Sequence, residues 1–68
     1  MKKNELTARE LVLLKLICKQ LTAREIGDKL GLSHRTIEEQ RLKLQNKLRV
    51  KNAVGLALFA VRNGIVKL

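Results

Sequence analysis

Proline, tryptophan and tyrosine are absent from these 68 residues, and phenylalanine, cysteine and histidine occur once each. A single cysteine excludes an internal disulfide. One cysteine and one histidine also fall short of the ligand set of a zinc site. The aromatic shortage leaves little surface on which an RNA-binding module would stack bases. No stretch approaches the roughly 20 unbroken apolar residues of a membrane span. Met1-Lys2-Lys3-Asn4-Glu5 lacks the apolar core of a signal peptide, and Lys2 and Lys3 read as a solvated, frayed terminus or the cut edge of a longer chain. These absences predict a soluble protein of a reducing, cytoplasmic compartment. Carboxylates are scarce as well: six Asp and Glu stand against fifteen Lys and Arg, a formal net charge of +9. So basic a chain favours a polyanionic partner. What the chain does have is apolar content, 46% of it hydrophobic, which excludes a disordered basic tail. Its length allows one small domain with a thin core.

With no proline and no alternating β-branched run, helix is the default state, and the punctuation shows where helices begin and end. Thr7-Ala8-Arg9-Glu10 and Thr22-Ala23-Arg24-Glu25 are both Thr-x-x-Glu capping boxes, each preceded by a leucine (Leu6, Leu21) able to act as a hydrophobic staple. The downstream segments differ, so these are two helix starts and not a repeat. The predicted helices are 8–18, 23–30, 34–48 and 53–63. Gly31 suits the left-handed stop of the second, Ser33 caps the third, Asn52 caps the fourth and Gly64 closes it. In the first helix Leu11, Leu14, Ile17 and Cys18 are expected inward, with Cys18 plain core. The fold class is all-α: four helices with short connections forming a single domain over residues 1–68.

A two-turn helix, the turn Gly31-Leu32-Ser33 and a longer helix form the layout of a helix-turn-helix, whose second helix enters the DNA major groove. Gly27, inside the first of these helices, is expected to permit a close approach of the next helix. On a helical wheel of the third helix, Ile37, Leu44 and Leu48 form one stripe. Arg35, Glu38, Glu39, Leu42, Asn46 and Arg49 gather opposite it, and Arg41 borders the apolar side. Leu42 is a large aliphatic on a polar face, and the thymine methyl gives it a use in the groove. Carboxylates near phosphates make sense at base edges, where Glu38 or Glu39 accepts from a cytosine amino group. Arg35 suits guanine or phosphate, while Lys43, Lys47 and Lys51 suit the backbone. Residues 35–51 hold six basic and two acidic side chains, a local excess of +4.

The whole chain resembles the LuxR/FixJ-type helix-turn-helix domain, the C-terminal output module of many bacterial transcription regulators. The likeness runs through Leu6-Thr7-Ala8-Arg9-Glu10, Leu14, Leu16-Ile17, Glu25-Ile26-Gly27 and Leu30-Gly31-Leu32-Ser33. It continues in Thr36-Ile37, Leu44, Lys47-Leu48, Val50-Lys51-Asn52 and Asn63-Gly64. The resemblance implies that helix three reads DNA and that helix four pairs two copies. It places Glu38, Glu39 and Leu42 at base-reading positions and Thr36, Arg41 and Lys47 on the backbone. Three positions depart from the family's pattern: Gln40 stands for a common histidine, Gln20 for a common glycine and Gly55 for a common glutamate. Gln40 can still hydrogen-bond a phosphate, and Gly55 is expected to weaken the start of helix four.

Helix four is apolar all round, with Val54, Ala57, Leu58 and Val61 on one side and Leu56, Phe59 and Ala60 on the other, near Asn63. So small a domain covers one side only. Leu56, Phe59, Ala60 and Asn63 are expected to form the interface of a homodimer. The function expected is sequence-specific binding of double-stranded DNA for transcription regulation, as the output domain of a two-component response regulator. No metal, cofactor, membrane or small-molecule ligand enters this reading. Neither does catalysis, since His34 has no serine–base or carboxylate arrangement around it in sequence. The alternative is a helical protein–protein interaction module without DNA binding.

Overall fold

Both Thr-x-x-Glu signatures close as reciprocal caps. In each, the threonine N–H donates to the glutamate Oε1 at 2.8 Å and the glutamate N–H donates to the threonine Oγ1 at 3.1 Å. Each cap satisfies donors that the first helical turn leaves without partners. The computed structural model describes residues 5–67. Its helices are α1 Ala8–Cys18, α2 Ala23–Leu30, α3 His34–Leu48 and α4 Ala53–Arg62, with no strand among the described residues. All four fall where the sequence predicts them, except that α4 ends one residue early, at Arg62. Ser33 caps α3 through the Thr36 N–H at 3.1 Å, and Asn52 caps α4 through the Gly55 N–H at 3.0 Å. Lys2 and Lys3 lie outside the described residues.

Three of the connections turn through the left-handed region. Gly31 closes α2 at φ +70°, where glycine carries no Cβ penalty. Gln20 and Arg49 adopt the same conformation at φ +64° and +58°, and for residues with a side chain this costs roughly 1–2 kcal/mol. The φ of Gln20 explains why glycine suits that position.

α2 packs chiefly on α3 and α1 chiefly on α4. Between these pairs lies one cluster of Leu6, Leu13, Leu14, Ile26, Ile37, Leu44, Leu48, Leu56 and Ala60. Leu6 joins it as the expected staple, and Ile65 and Val66 pack on it from beyond α4. Two inward faces differ from expectation. In α1, Leu13 and Leu14 are fully buried, while Leu11, Ile17 and Cys18 are half-buried and Val12 is exposed. In α4, Leu56 and Ala60 are fully buried, so they cannot form an interface with a second copy as expected. The exposed side is the opposite one, with Val54 66% and Leu58 50% exposed. Two apolar sides at helical spacing are equivalent until a neighbour chooses between them.

Two glycines mark close approaches. A Cβ built on Gly27 would sit 2.4 Å from the Leu32 carbonyl oxygen, so the turn folds back against α2 at that point. A Cβ on Gly55 would sit 2.7 Å from Val50 Cβ. Gly55 therefore admits the connector's side chain against α4, and the Asn52 cap holds the helix start that glycine weakens.

Gly27→Ala should lower unfolding stability by about 2 kcal/mol in urea denaturation, because the obstacle is backbone and the gain in helix propensity is smaller. Gln20→Gly should raise it by about 1 kcal/mol in the same measurement by relieving the left-handed conformation.

Candidate nucleic-acid interface

Ile37, Leu44 and Leu48 anchor α3 in the core, and the helix turns its other side to solvent. Arg35, Glu39, Leu42, Lys43, Asn46 and Arg49 are exposed along that side, with Leu42 at 52%. Glu38 is half-exposed beside them. The strip expected at base edges is thus physically open, and neither acid on it stands alone. His34 Nε2 lies 3.4 Å from Glu38 Oε1, and Arg35 Nε lies 3.5 Å from Glu39 Oε1, both at i,i+4 spacing on one helix. Such exposed pairs contribute little stability. Their effect on a surface facing phosphate is different: the Arg35 guanidinium offsets the Glu39 charge, so its repulsion is reduced.

The residues expected on the DNA backbone do not share one setting. Lys43 and Lys51 are exposed. Thr36 is half-buried, and its Oγ1 accepts from the Ser33 hydroxyl at 2.8 Å, which places it within the α3 cap. Gln40 turns toward the start of α1, lining a shallow hollow with Arg9, Glu10, Leu13 and Lys43. Arg41 lines a groove of about 560 Å³ with Gln20, Thr22, Ile37, Ala53 and Val54 among others, between the α1–α2 turn and the start of α4. Gln40 Oε1 in the hollow and Arg41 Nε in the groove are buried without hydrogen-bond partners among the described residues.

Lys47 departs most from its expected place. Its Nζ donates to Glu10 Oε1 at 2.7 Å, the oxygen that also closes the α1 cap. One carboxylate thereby joins the start of α1 to the last turn of α3. The hydrogen bond from Lys47 holds the Glu10 carboxyl below its ordinary value, helped by the Thr7 amide and opposed by partial burial. Sequence reading missed this contact, because nothing local relates residues 37 positions apart. On α4, Phe59 is half-buried, and Asn63 donates from Nδ2 to the Phe59 carbonyl at 2.8 Å.

Cys18 is half-buried against the core, and burial pushes its thiol pKa up, away from nucleophilic use. Among the described residues no group of three or more His, Cys, Asp or Glu is placed to hold a metal ion. No described helix is long and apolar enough to cross a membrane.

The family model described as bacterial regulatory proteins, luxR family, matches residues 4–60. The chain is 40% identical over 62 residues to an uncharacterized response regulatory protein, YgeK, of Escherichia coli, covering 91% of this chain and 42% of that one. It is 36% identical over 63 residues to the response regulator GacA of Pseudomonas aeruginosa, covering 93% and 29% respectively. With the transcriptional regulatory protein YdfI of Bacillus subtilis it shares 32% over 63 residues, covering 93% and 30%. The chain therefore spans less than half the length of these curated relatives. No solved structure matches it significantly.

The Glu10 contact carries a pH signature. A carboxyl whose folded pKa is depressed stabilises the fold above its unfolded value, about 4.3 for glutamate, and loses that contribution as pH falls through the folded value. Glu10→Gln should therefore cost about 1 kcal/mol at pH 7 and less at pH 3, as read from urea unfolding at the two pH values.

Proposed function

Because the chain belongs to the luxR family of bacterial regulatory proteins, we propose that it binds double-stranded DNA sequence-specifically and regulates transcription without catalysis. The observation that carries this reading is the geometry of α3. Its aliphatic stripe is locked in the core, while Arg35, Glu39 and Leu42 stand open on the far side. A helix held this way projects into a major groove about 12 Å wide and meets base edges with the side chains of its first turns.

Base contacts fall to Arg35, Glu38, Glu39 and Leu42. Lys43 and Lys51 are exposed cations at the flanks, suited to phosphate, with Arg41 and Gln40 on either side of the helix. Thr36 keeps its own hydroxyl proton for a phosphate oxygen, since its oxygen is the acceptor in the α3 cap. Lys47 reaches phosphate only while sharing its ammonium with Glu10, so its contribution is the smallest of the set.

Relatives named as response regulators support a role as the output module of a longer two-component regulator. A second copy would meet this one through Val54 and Leu58, which lie on one exposed face of α4 at i,i+4 spacing. Two copies related by a two-fold axis would set their α3 helices in successive major grooves, about 34 Å apart.

Lys43→Ala should weaken binding to all duplexes alike and lower the slope of log affinity against log salt by about 1, since one phosphate contact is lost. Gel shifts across a salt series measure both. Absence of salt-dependent retention of any duplex by the wild type would favour a helical protein-binding module instead.

A further inference from the structure

We propose that Arg35 and Glu39 act as one unit that reads a single G·C base pair across both of its bases. This rests on the DNA-binding reading above and adds to it the identity of a base pair. Arg35 Nε lies 3.5 Å from Glu39 Oε1, with the two side chains 88% and 61% exposed. The carboxylate therefore faces the Nε, which leaves both terminal nitrogens of the guanidinium and the second carboxylate oxygen for other partners.

That leftover set is two adjacent donors followed by an acceptor. In the major groove a G·C pair presents guanine N7 and O6 as acceptors and the cytosine N4 amino group as a donor. The two patterns are complements. Arg35 takes the guanine bidentately, and Glu39 accepts from the cytosine paired with it. An A·T pair presents acceptor, donor, acceptor, so the adenine amino group would meet the guanidinium and thymine O4 would meet the carboxylate. The pair thus attracts G·C and repels A·T, and discrimination comes from both sides. Once both side chains leave water for the groove, the carboxylate beside Nε also narrows the choice of arginine rotamers. It further explains an acid on a surface that faces phosphate: Glu39 enters the groove with its charge compensated. Leu42 projects within about 60° of Arg35 and Glu39 around the helix, beside them on the exposed strip. There it contacts a thymine methyl in a neighbouring pair. Glu38 is engaged differently, facing His34 at 3.4 Å, and is not part of the unit.

The test is selection from a randomised duplex pool by the wild type, Arg35→Ala, Glu39→Ala and the double variant. The wild type should enrich sites holding an obligatory G·C pair. Each single variant should lose about 10- to 100-fold of the preference for G·C over A·T at that same pair. The double variant should lose no more than either single one. Replacing the guanine by 7-deazaguanine, which lacks N7, should weaken the wild type and leave Arg35→Ala unaffected. Thermal melting should be the same for all four proteins, since both side chains are exposed. The proposal is overturned if the two single variants relax different base pairs, if either leaves the profile unchanged, or if the wild type retains duplex DNA with no G·C preference. A wild type that retains no duplex at low salt overturns the DNA-binding reading itself, and this proposal with it.

Discussion

The placement of α3 depends on one close approach. Position 27 faces the Leu32 carbonyl oxygen so tightly that a Cβ there would sit at 2.4 Å. The turn after Gly31 can therefore fold directly onto α2, and α3 leaves it with Ile37, Leu44 and Leu48 directed into the core. Once those three are buried, the period of the helix sends Arg35, Glu39 and Leu42 outward, with no further contact needed to aim them. In so small a domain the surface proposed to meet DNA and the core that holds the fold are two sides of one helix.

The scarce acids have distinct uses. Glu10 and Glu25 each close a helix cap, and both carboxyls sit below their ordinary pKa, Glu10 chiefly through Lys47 and Glu25 through the Thr22 amide. Glu10 also binds Lys47, while Glu38 and Glu39 face His34 and Arg35 one turn away. Lys43 and Lys51 remain exposed near the strip. Four of the six carboxylates thus close helix ends or face a basic neighbour, in a chain whose formal net charge of +9 favours a polyanionic partner.

α4 shows the limits of a wheel. Both of its sides are apolar, and the expectation placed Leu56 and Ala60 outward when they are the buried pair. The choice is made by α1, which packs on α4 and leaves Val54 and Leu58 uncovered. Gly55, expected only as a weak point, turns out to admit Val50 against the helix, a contact between the connector and α4 that composition does not signal.

Helix limits, caps and the open side of α3 were determined by the sequence alone, because each rests on interactions among residues within about four positions of one another. The two capping boxes, Gly31 and the wheel of α3 are local in this sense, and all appear as expected. Which side of α4 is buried, that Leu13 outranks Leu11 and Ile17 in the core, and that Lys47 binds Glu10 were decided only in three dimensions. These depend on helices distant in the chain meeting at particular angles. A pattern of apolar and charged residues specifies which sides can be buried, while the packing partner selects the one that is.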